Sequence, residues 1–432
     1  MLNALIYAEL VLTFPENGSD YVYIREGFGP WAAFLYNWVM MVFERNAARA
    51  IVALTFSKYF CAMFFPTCSA PEELKILIAA IALTTVVVIQ CYSTKFTIMT
   101  SNFFTAAKLT GLIMIIIIGI GFLFIEGSHN LNGFFTGTST NVGDYVLGFY
   151  AAYWAYSGTG ACVSIIEELK LPLKQNILFA IITALCTVTI VYMLTNLAYV
   201  SVLSVPDILT SPAVAFTFGL TVLPGFLFWV MPFFVACSTF GNMSNGVMLV
   251  ARIAMAGARQ RHLPRPFSLL QEKTLTPVPG LLFGLVMSLL MMVSSKIYTL
   301  IHYTSYISVL VSAMSVVTNV RFRFQYPEME REFKLPIVIP VAYLLISAFF
   351  LIYPFYSNPI GTIICFAVIA TGLPIYFLVI VPEQTPACLD RFETVVTHFI
   401  QKLFMCLPEE FEAREYKTAD KGRSNPAFEK GE

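Results

Sequence analysis

Charge is what this chain has least of. Only 12% of its 432 residues are Asp, Glu, Lys or Arg, against 58% apolar residues, where a soluble globular chain carries about 25% charged residues. So little charge does not cover a water-facing surface of this size, which excludes a soluble globular fold. Lys and Arg number 26, as do Asp and Glu, for a formal charge of zero. A nucleic-acid partner goes with it, because holding a phosphate backbone takes clustered basic side chains. The nine cysteines, at 61, 68, 91, 162, 186, 237, 365, 388 and 406, contain no Cys-x-x-Cys pair, which gives neither a metal site nor an internal disulfide framework. Histidine is also sparse, at 129, 262, 302 and 398, and no Ser/His/Asp or metal-ligand spacing emerges. No cofactor or metal is expected, and an enzyme is the least supported class.

What the chain has in abundance is long apolar runs. About 20 such residues cover the roughly 30 Å hydrocarbon core of a bilayer as a helix. Runs fall near 1 to 14, 31 to 62, 76 to 94, 102 to 125, 144 to 165, 177 to 202, 223 to 250, 278 to 295, 297 to 320, 337 to 356 and 360 to 381. The expectation is an all-α polytopic membrane protein with eleven spans, the first too short alone. Met1 opens inside an apolar run with no charged leader before it, so no secretory signal is expected. Cytoplasmic loops retain Lys and Arg, and the connections divide unequally. One set, with the tail, holds 20 basic residues, among them Arg25, Lys95, Lys170, Arg265, Arg321, Arg323 and Arg331; the other holds Lys75 and Lys296. This places the tail in the cytoplasm and the loops near 63 to 75, 126 to 143 and 203 to 222 outside. Within the tail, Val395, Val396, Phe399, Ile400, Leu403, Phe404 and Leu407 recur at helical spacing, as in a helix lying on the inner surface or against the bundle. The expected organisation is a transmembrane domain over 1–381, an amphipathic cytoplasmic helix over 382–408 and a disordered tail over 409–432, charged and poor in apolar residues.

Three local features bear on function. Trp154-Ala-Tyr-Ser-Gly-Thr-Gly160 sits mid-span with two glycines around Thr159; it reads either as a helix break lining a cavity, with backbone groups free for a substrate, or as close packing through small residues. Glu44, Arg45, Arg49 and Lys108 lie within spans, where each charge costs about 2.5 to 3.5 kcal/mol on insertion scales. They line an aqueous path, or Glu44 and an arginine form a structural pair while Lys108 snorkels. Cys68, in the outer Phe65-Pro-Thr-Cys-Ser-Ala-Pro71, reads as an intermolecular disulfide or a free thiol.

The chain also resembles a known family, the light subunits of heteromeric amino acid transporters within the amino acid, polyamine and organocation superfamily. The likeness runs from Tyr7-Ala-Glu-Leu10 and Gly18-Ser-Asp-Tyr21 through Pro66-Thr-Cys68, Thr105-Ala-Ala-Lys-Leu109, Trp154-Ala-Tyr-Ser-Gly158, Glu167-Glu-Leu169 and Leu194-Thr-Asn-Leu-Ala-Tyr199. It continues through His262-Leu-Pro264, Leu275-Thr-Pro-Val-Pro279 and Tyr326-Pro-Glu-Met-Glu330, to about residue 408. The resemblance implies a fold of two inverted five-helix repeats (LeuT-like) and sodium-independent exchange of amino acids at the plasma membrane. It implies that Ser157, Gly158, Thr159 and Gly160 lie at the substrate, with Trp154 as the aromatic gate, and that Thr304, Tyr306 and Ser308 border the side-chain pocket. Arg45 matches an arginine shared by several members, Lys108 the lysine standing where related sodium-coupled transporters bind sodium, and Cys68 the cysteine bonded to a single-span glycoprotein heavy subunit.

Departures refine this. Thr159 and Gly160 replace a bulky aromatic residue and an Asn common in the family, leaving room for a large side chain. Glu44 and Arg49 replace residues usually uncharged. The family has twelve spans, so eleven implies that the first is missing, with half of the binding site. The expected function is exchange of neutral, large or aromatic L-amino acids. The alternatives are exchange of anionic amino acids or cystine, suggested by Arg49, and a non-transporting truncated form that still pairs with the heavy subunit.

Overall fold

The computed structural model describes residues 1–408 apart from 15–19, 67, 69, 93, 127–136, 159–172, 212, 260–261, 275, 294–296, 327–330 and 383–386. The expected tail over 409–432 lies outside the described residues.

The apolar runs become helices because an extended chain in hydrocarbon would leave its amides unpaired. In chain order they are α1 (Leu2–Thr13), α2 (Asp20–Phe28), α3 (Pro30–Val39), α4 (Arg45–Phe64), α5 (Glu72–Tyr92), α6 (Thr94–Glu126), α7 (Val142–Ala155) and α8 (Leu173–Val202). After them come α9 (Val230–Arg259), α10 (Val278–Met292), α11 (Ile297–Gln325), α12 (Val338–Ile352), α13 (Pro359–Ala370) and α14 (Ala387–Phe404). Among the described residues, eight helical stretches are long and apolar enough to cross a membrane. The other three expected spans are helical but shorter. α1 has 12 residues, α10 has 15, and α7 has 14 and ends at Ala155.

Two features went unanticipated. α2 begins at Asp20, within the Gly18-Ser-Asp-Tyr21 stretch, and packs on α11. Strand β1 (Leu269–Gln271) pairs antiparallel with β2 (Cys406–Pro408), which ties the end of α14 to the loop between α9 and α10.

α11 is the axis of the bundle: 61% of its apolar window is buried, against 17% for α6 and for the α8 stretch. The outer helices accordingly present Phe179, Met193 and Ile117 outward, as lipid-facing helices do. They pack through small residues, because lipid removes the hydrophobic drive between helices and leaves close contact to hold them. Gly119 of α6 lies on Ala198 of α8, and Ser201 Oγ donates to the Gly119 carbonyl at 3.0 Å.

A Cβ at Gly119 would stand 2.9 Å from the Ala198 backbone oxygen, whereas one at Gly121 would meet nothing within 4 Å. Gly119→Ala should therefore lower stability by about 1 to 3 kcal/mol, the usual cost of overpacking, while Gly121→Ala should not. Thermal unfolding of the purified variants in detergent checks this, and equal melting temperatures would refute the α6–α8 contact.

Candidate functional site

On α11, Thr304, Ser308, Ser312, Ser315, Asn319 and Arg323 succeed one another at steps of four, four, three, four and four. That spacing keeps all six on one face of a helix with 3.6 residues per turn. The face is a polar seam through the bundle. Ser308 Oγ donates to Glu44 Oε1 at 3.2 Å. One turn on, Ser312 Oγ lies 2.9 Å from Asn3 Oδ1 and 2.7 Å from the Tyr343 hydroxyl. Ser315 Oγ donates to Asp20 Oδ1 at 2.7 Å, and the Tyr7 hydroxyl donates to the same oxygen. Burial holds this α2 carboxyl above its ordinary value, since a low dielectric disfavours the charged form. At the end of the seam Glu9, fully buried, receives both Arg323 Nε (3.1 Å) and Arg323 Nη2, together with Arg331 Nη1 (3.3 Å) and the Leu335 amide (3.1 Å). The Arg323 contact is bidentate, the arrangement in which a guanidinium holds a carboxylate best.

Local backbone geometry sets the other side of the seam. Between α3 and α4, Met40–Glu44 form a π-helical turn, an extra residue that rotates α4 relative to α3 and frees carbonyls of the preceding turn. The Asn46 amide donates to two of them, Met41 and Val42. The turn brings Glu44 to Ser308 with Arg45 beside it. Arg45 Nε lies 3.2 Å from Glu44 Oε2, an ion-pair distance, although neither atom makes a hydrogen bond among the described residues. Arg49, one turn further, points elsewhere. It is 3% exposed, gives Nη2 to Asn46 Oδ1, and leaves Nε and Nη1 without a hydrogen bond among the described residues. Its guanidinium packs on Gly284 of α10, with its side chain near Gly246 of α9.

α7 ends where the glycine-rich stretch begins. The Tyr156 amide closes on Ala152 (3.2 Å), Ser157 on Trp154 (3.2 Å) and Gly158 on Tyr156 (2.9 Å), while Tyr192 of α8 donates its hydroxyl to the Ala155 carbonyl at 3.2 Å. The helix stops without leaving these polar groups bare. Ser157 and Gly158 are exposed, and Trp154 is half-buried against the core. Thr159 and Gly160 lie outside the described residues. The Tyr153 hydroxyl reaches the Ser308 carbonyl at 3.5 Å, so the end of α7 meets the seam at the Glu44 position.

The candidate residues thus divide. Arg45 and Ser308 come together through Glu44, with the Trp154 turn adjacent through Tyr153. Thr304 shares the seam's face but spends its hydroxyl on Leu300 and Ile301 of its own helix, at 2.8 and 3.0 Å. Tyr306 lies on the opposite side of α11, donating to the Leu351 carbonyl at 3.3 Å and lining a small cavity with Tyr150, His302 and Cys365. Lys108 is half-buried on α6. Cys68 is exposed with a free thiol just beyond α4. Sequence reasoning missed Glu9, Asp20, Ser312 and Ser315, yet the repeated hydroxyl spacing on α11 was a signal for the last two.

The amino acid permease family model matches residues 1–402. Among similar proteins, the large neutral amino acids transporter small subunit 2 of Rattus norvegicus is 36% identical over 426 residues, covering 97% of this chain and 79% of the relative. The b(0,+)-type amino acid transporter 1 of Mus musculus is 34% identical over 411 residues, covering 95% and 83%. The cystine/glutamate transporter of Homo sapiens is 33% identical over 410 residues, covering 95% and 81%.

Removing the carboxylate from Glu9 would strand two arginines whose side chains are each 5% exposed. Breaking a buried pair from one side costs about 3 to 5 kcal/mol, so Glu9→Ala should unfold at markedly lower temperature than the parent. An unchanged melting curve would mean that the cluster is solvated and its pairing incidental.

Proposed function

The chain belongs to the amino acid permease family, as a multi-pass membrane protein that transports amino acids, and we propose that it exchanges neutral L-amino acids without sodium. The observation that carries this reading is the Glu44–Arg45 pair. With Arg45 Nε 3.2 Å from Glu44 Oε2, the arginine's charge is matched where the end of α7 meets α11. An anionic side chain would meet the Glu44 carboxylate there, whereas a zwitterion with an uncharged side chain adds no net charge. Arg49, the feature favouring anionic substrates, is turned into the α4–α9–α10 contact and away from Ser308. The negative end of the α7 dipole suits a substrate ammonium group, with Ser157 and Gly158 exposed beside it. The small residues Thr159 and Gly160, where the family commonly has a bulky aromatic and an Asn, extend the reading to large or aromatic substrates.

In this reading the chain is the light subunit of a plasma-membrane heterodimer, its tail cytoplasmic, joined to a single-span heavy subunit through Cys68. The relatives named as a small subunit support a larger partner, and the exposed free thiol supports the link. Residues 1–381 form the transport domain, built as two inverted repeats. Lys108 takes the place of a sodium ion, its positive charge standing on α6 where a cation would otherwise be bound.

In proteoliposomes holding the chain with its heavy subunit, labelled Leu and Phe should exchange while Glu and Arg lag by about tenfold or more, a difference of about 1.4 kcal/mol in transition-state free energy. Lys108→Ala should abolish that exchange. Uptake of Glu alone would overturn the neutral reading, and full activity of the Lys108 variant would return that lysine to a snorkelling role.

On a non-reducing gel the complex should run as a high-mass band that Cys68→Ser removes. If the band persists in the variant, another cysteine makes the link.

A further inference from the structure

α14 divides its side chains among three surroundings. Ile400 and Phe404 face the bundle, packing with Leu269, Val278 and Cys406. Asp390 and Glu393 share one edge and are held by Arg265: its Nη2 lies 3.0 Å from Asp390 Oδ1, and its backbone amide donates to Glu393 Oε1 at 2.5 Å. Phe392, Val395, Phe399 and Leu403, at steps of three, four and four, face outward, with exposures of 66, 62, 63 and 57%. Arg391, His398 and Lys402 are also exposed, and at 100° per residue they fall on the edge that borders this stripe. The helix has therefore sorted its charges. Its acids are spent on the protein, and its bases flank an apolar face that nothing in the bundle covers.

We propose that this outer face of α14 is a binding surface for a bilayer containing acidic phospholipids, with Phe392, Val395, Phe399 and Leu403 in the acyl boundary and Arg391, Lys402 and His398 on the headgroup phosphates and carboxylates. Apolar side chains beside a basic edge are the composition of an interfacial helix. Place agrees with chemistry. The last apolar stretch runs to Leu378 and α14 starts at Ala387. The nine steps between them span at most about 30 Å when fully extended, so α14 stays near the membrane face. Its far end is pinned by the β1–β2 pair, which holds the helix along the bundle's end rather than free in solution. Acidic lipids concentrate in the cytoplasmic leaflet, the side on which the proposed orientation puts this helix. The surface is independent of the substrate reading.

The test compares amide exchange of the full chain, with its heavy subunit, in phosphatidylcholine nanodiscs and in nanodiscs with about 30% phosphatidylserine, a composition that imitates an acidic leaflet. Amides from 391 to 403 should exchange about tenfold more slowly in the acidic discs, an opening equilibrium shifted by lipid, while α11 is unchanged in both. Arg391→Glu with Lys402→Glu should remove the difference and leave α11 as before. Equal protection of α14 in the two lipids overturns the proposal, and is what a protein neighbour seated on the stripe would give. The wild-type comparison stands on its own if the double variant fails to fold.

Discussion

An ionised or hydrogen-bonding group inside a bilayer-spanning bundle must find its partners within the protein, since hydrocarbon offers none. In this chain the requirement is met mostly along one face of α11. Ser308, Ser312 and Ser315 each reach a different element, namely the π-helical turn at Glu44, α1 with α12, and α2. Arg323 completes the series on Glu9 of α1. The elements that are short, α1 and α2 above all, are those tied to the seam by polar contacts, whereas the long outer helices rest on apolar and glycine contacts. Position in the bundle is decided by which kind of partner each segment needs.

The two kinds of contact differ in what they allow. A hydrogen bond contributes about 1 kcal/mol net and the seam offers few per element, so these bonds set where each element sits on α11 more than how tightly it is held there. The Gly119–Ala198 approach and the Gly111 and Gly241 contacts with Phe234 and Phe104 are different, because close packing over a whole interface yields only by separating many atoms together. Transport needs one part of the bundle to move against another. The Glu9 cluster resists such motion, because four donors converge there on one buried carboxylate.

Much of this was legible in the sequence, for physical reasons that vary by residue. Long apolar runs announce helices because the bilayer permits little else. The glycines at 158 and 160 offered a break as one of two readings, but the run was expected to continue to 165 and the helix ends at Ala155. The pairing of Glu44 with an arginine was one of two readings the sequence left open, because charges in an apolar run must either be matched or line water. Glu9 was harder to see. Its partners Arg323 and Arg331 lie more than 300 positions away, and pairing at that distance is set by the tertiary fold. The π-helical turn at Met40–Glu44 also left no mark, since its residues suit an ordinary helix and only the rotation it imposes distinguishes it. Thr304, Tyr306 and Ser308 were expected to border one pocket. Alternate residues on a helix point to different sides, and Tyr306 faces α7, α12 and α13 while Ser308 faces Glu44.

Arg49 shows what the seam's rule permits at its limit. Among the described residues its buried guanidinium has one hydrogen-bond partner, Asn46, and no acidic partner of the kind Glu44 gives Arg45. Three properties make this tolerable. A guanidinium spreads its charge over a plane and is more weakly hydrated than an ammonium, so its desolvation is the least costly of the basic groups. Gly284 and Gly246 leave space for the side chain between α10 and α9, where any larger residue at 284 would collide with it. Asn46, finally, has its amide committed to the carbonyls freed by the π-helical turn, which turns its oxygen toward Arg49. The same backbone irregularity that presents Glu44 to the seam thus orients the partner of the second arginine. Arg45 and Arg49, one turn apart on α4, are therefore served by different partners on either side of that turn, Glu44 for the first and Asn46 for the second.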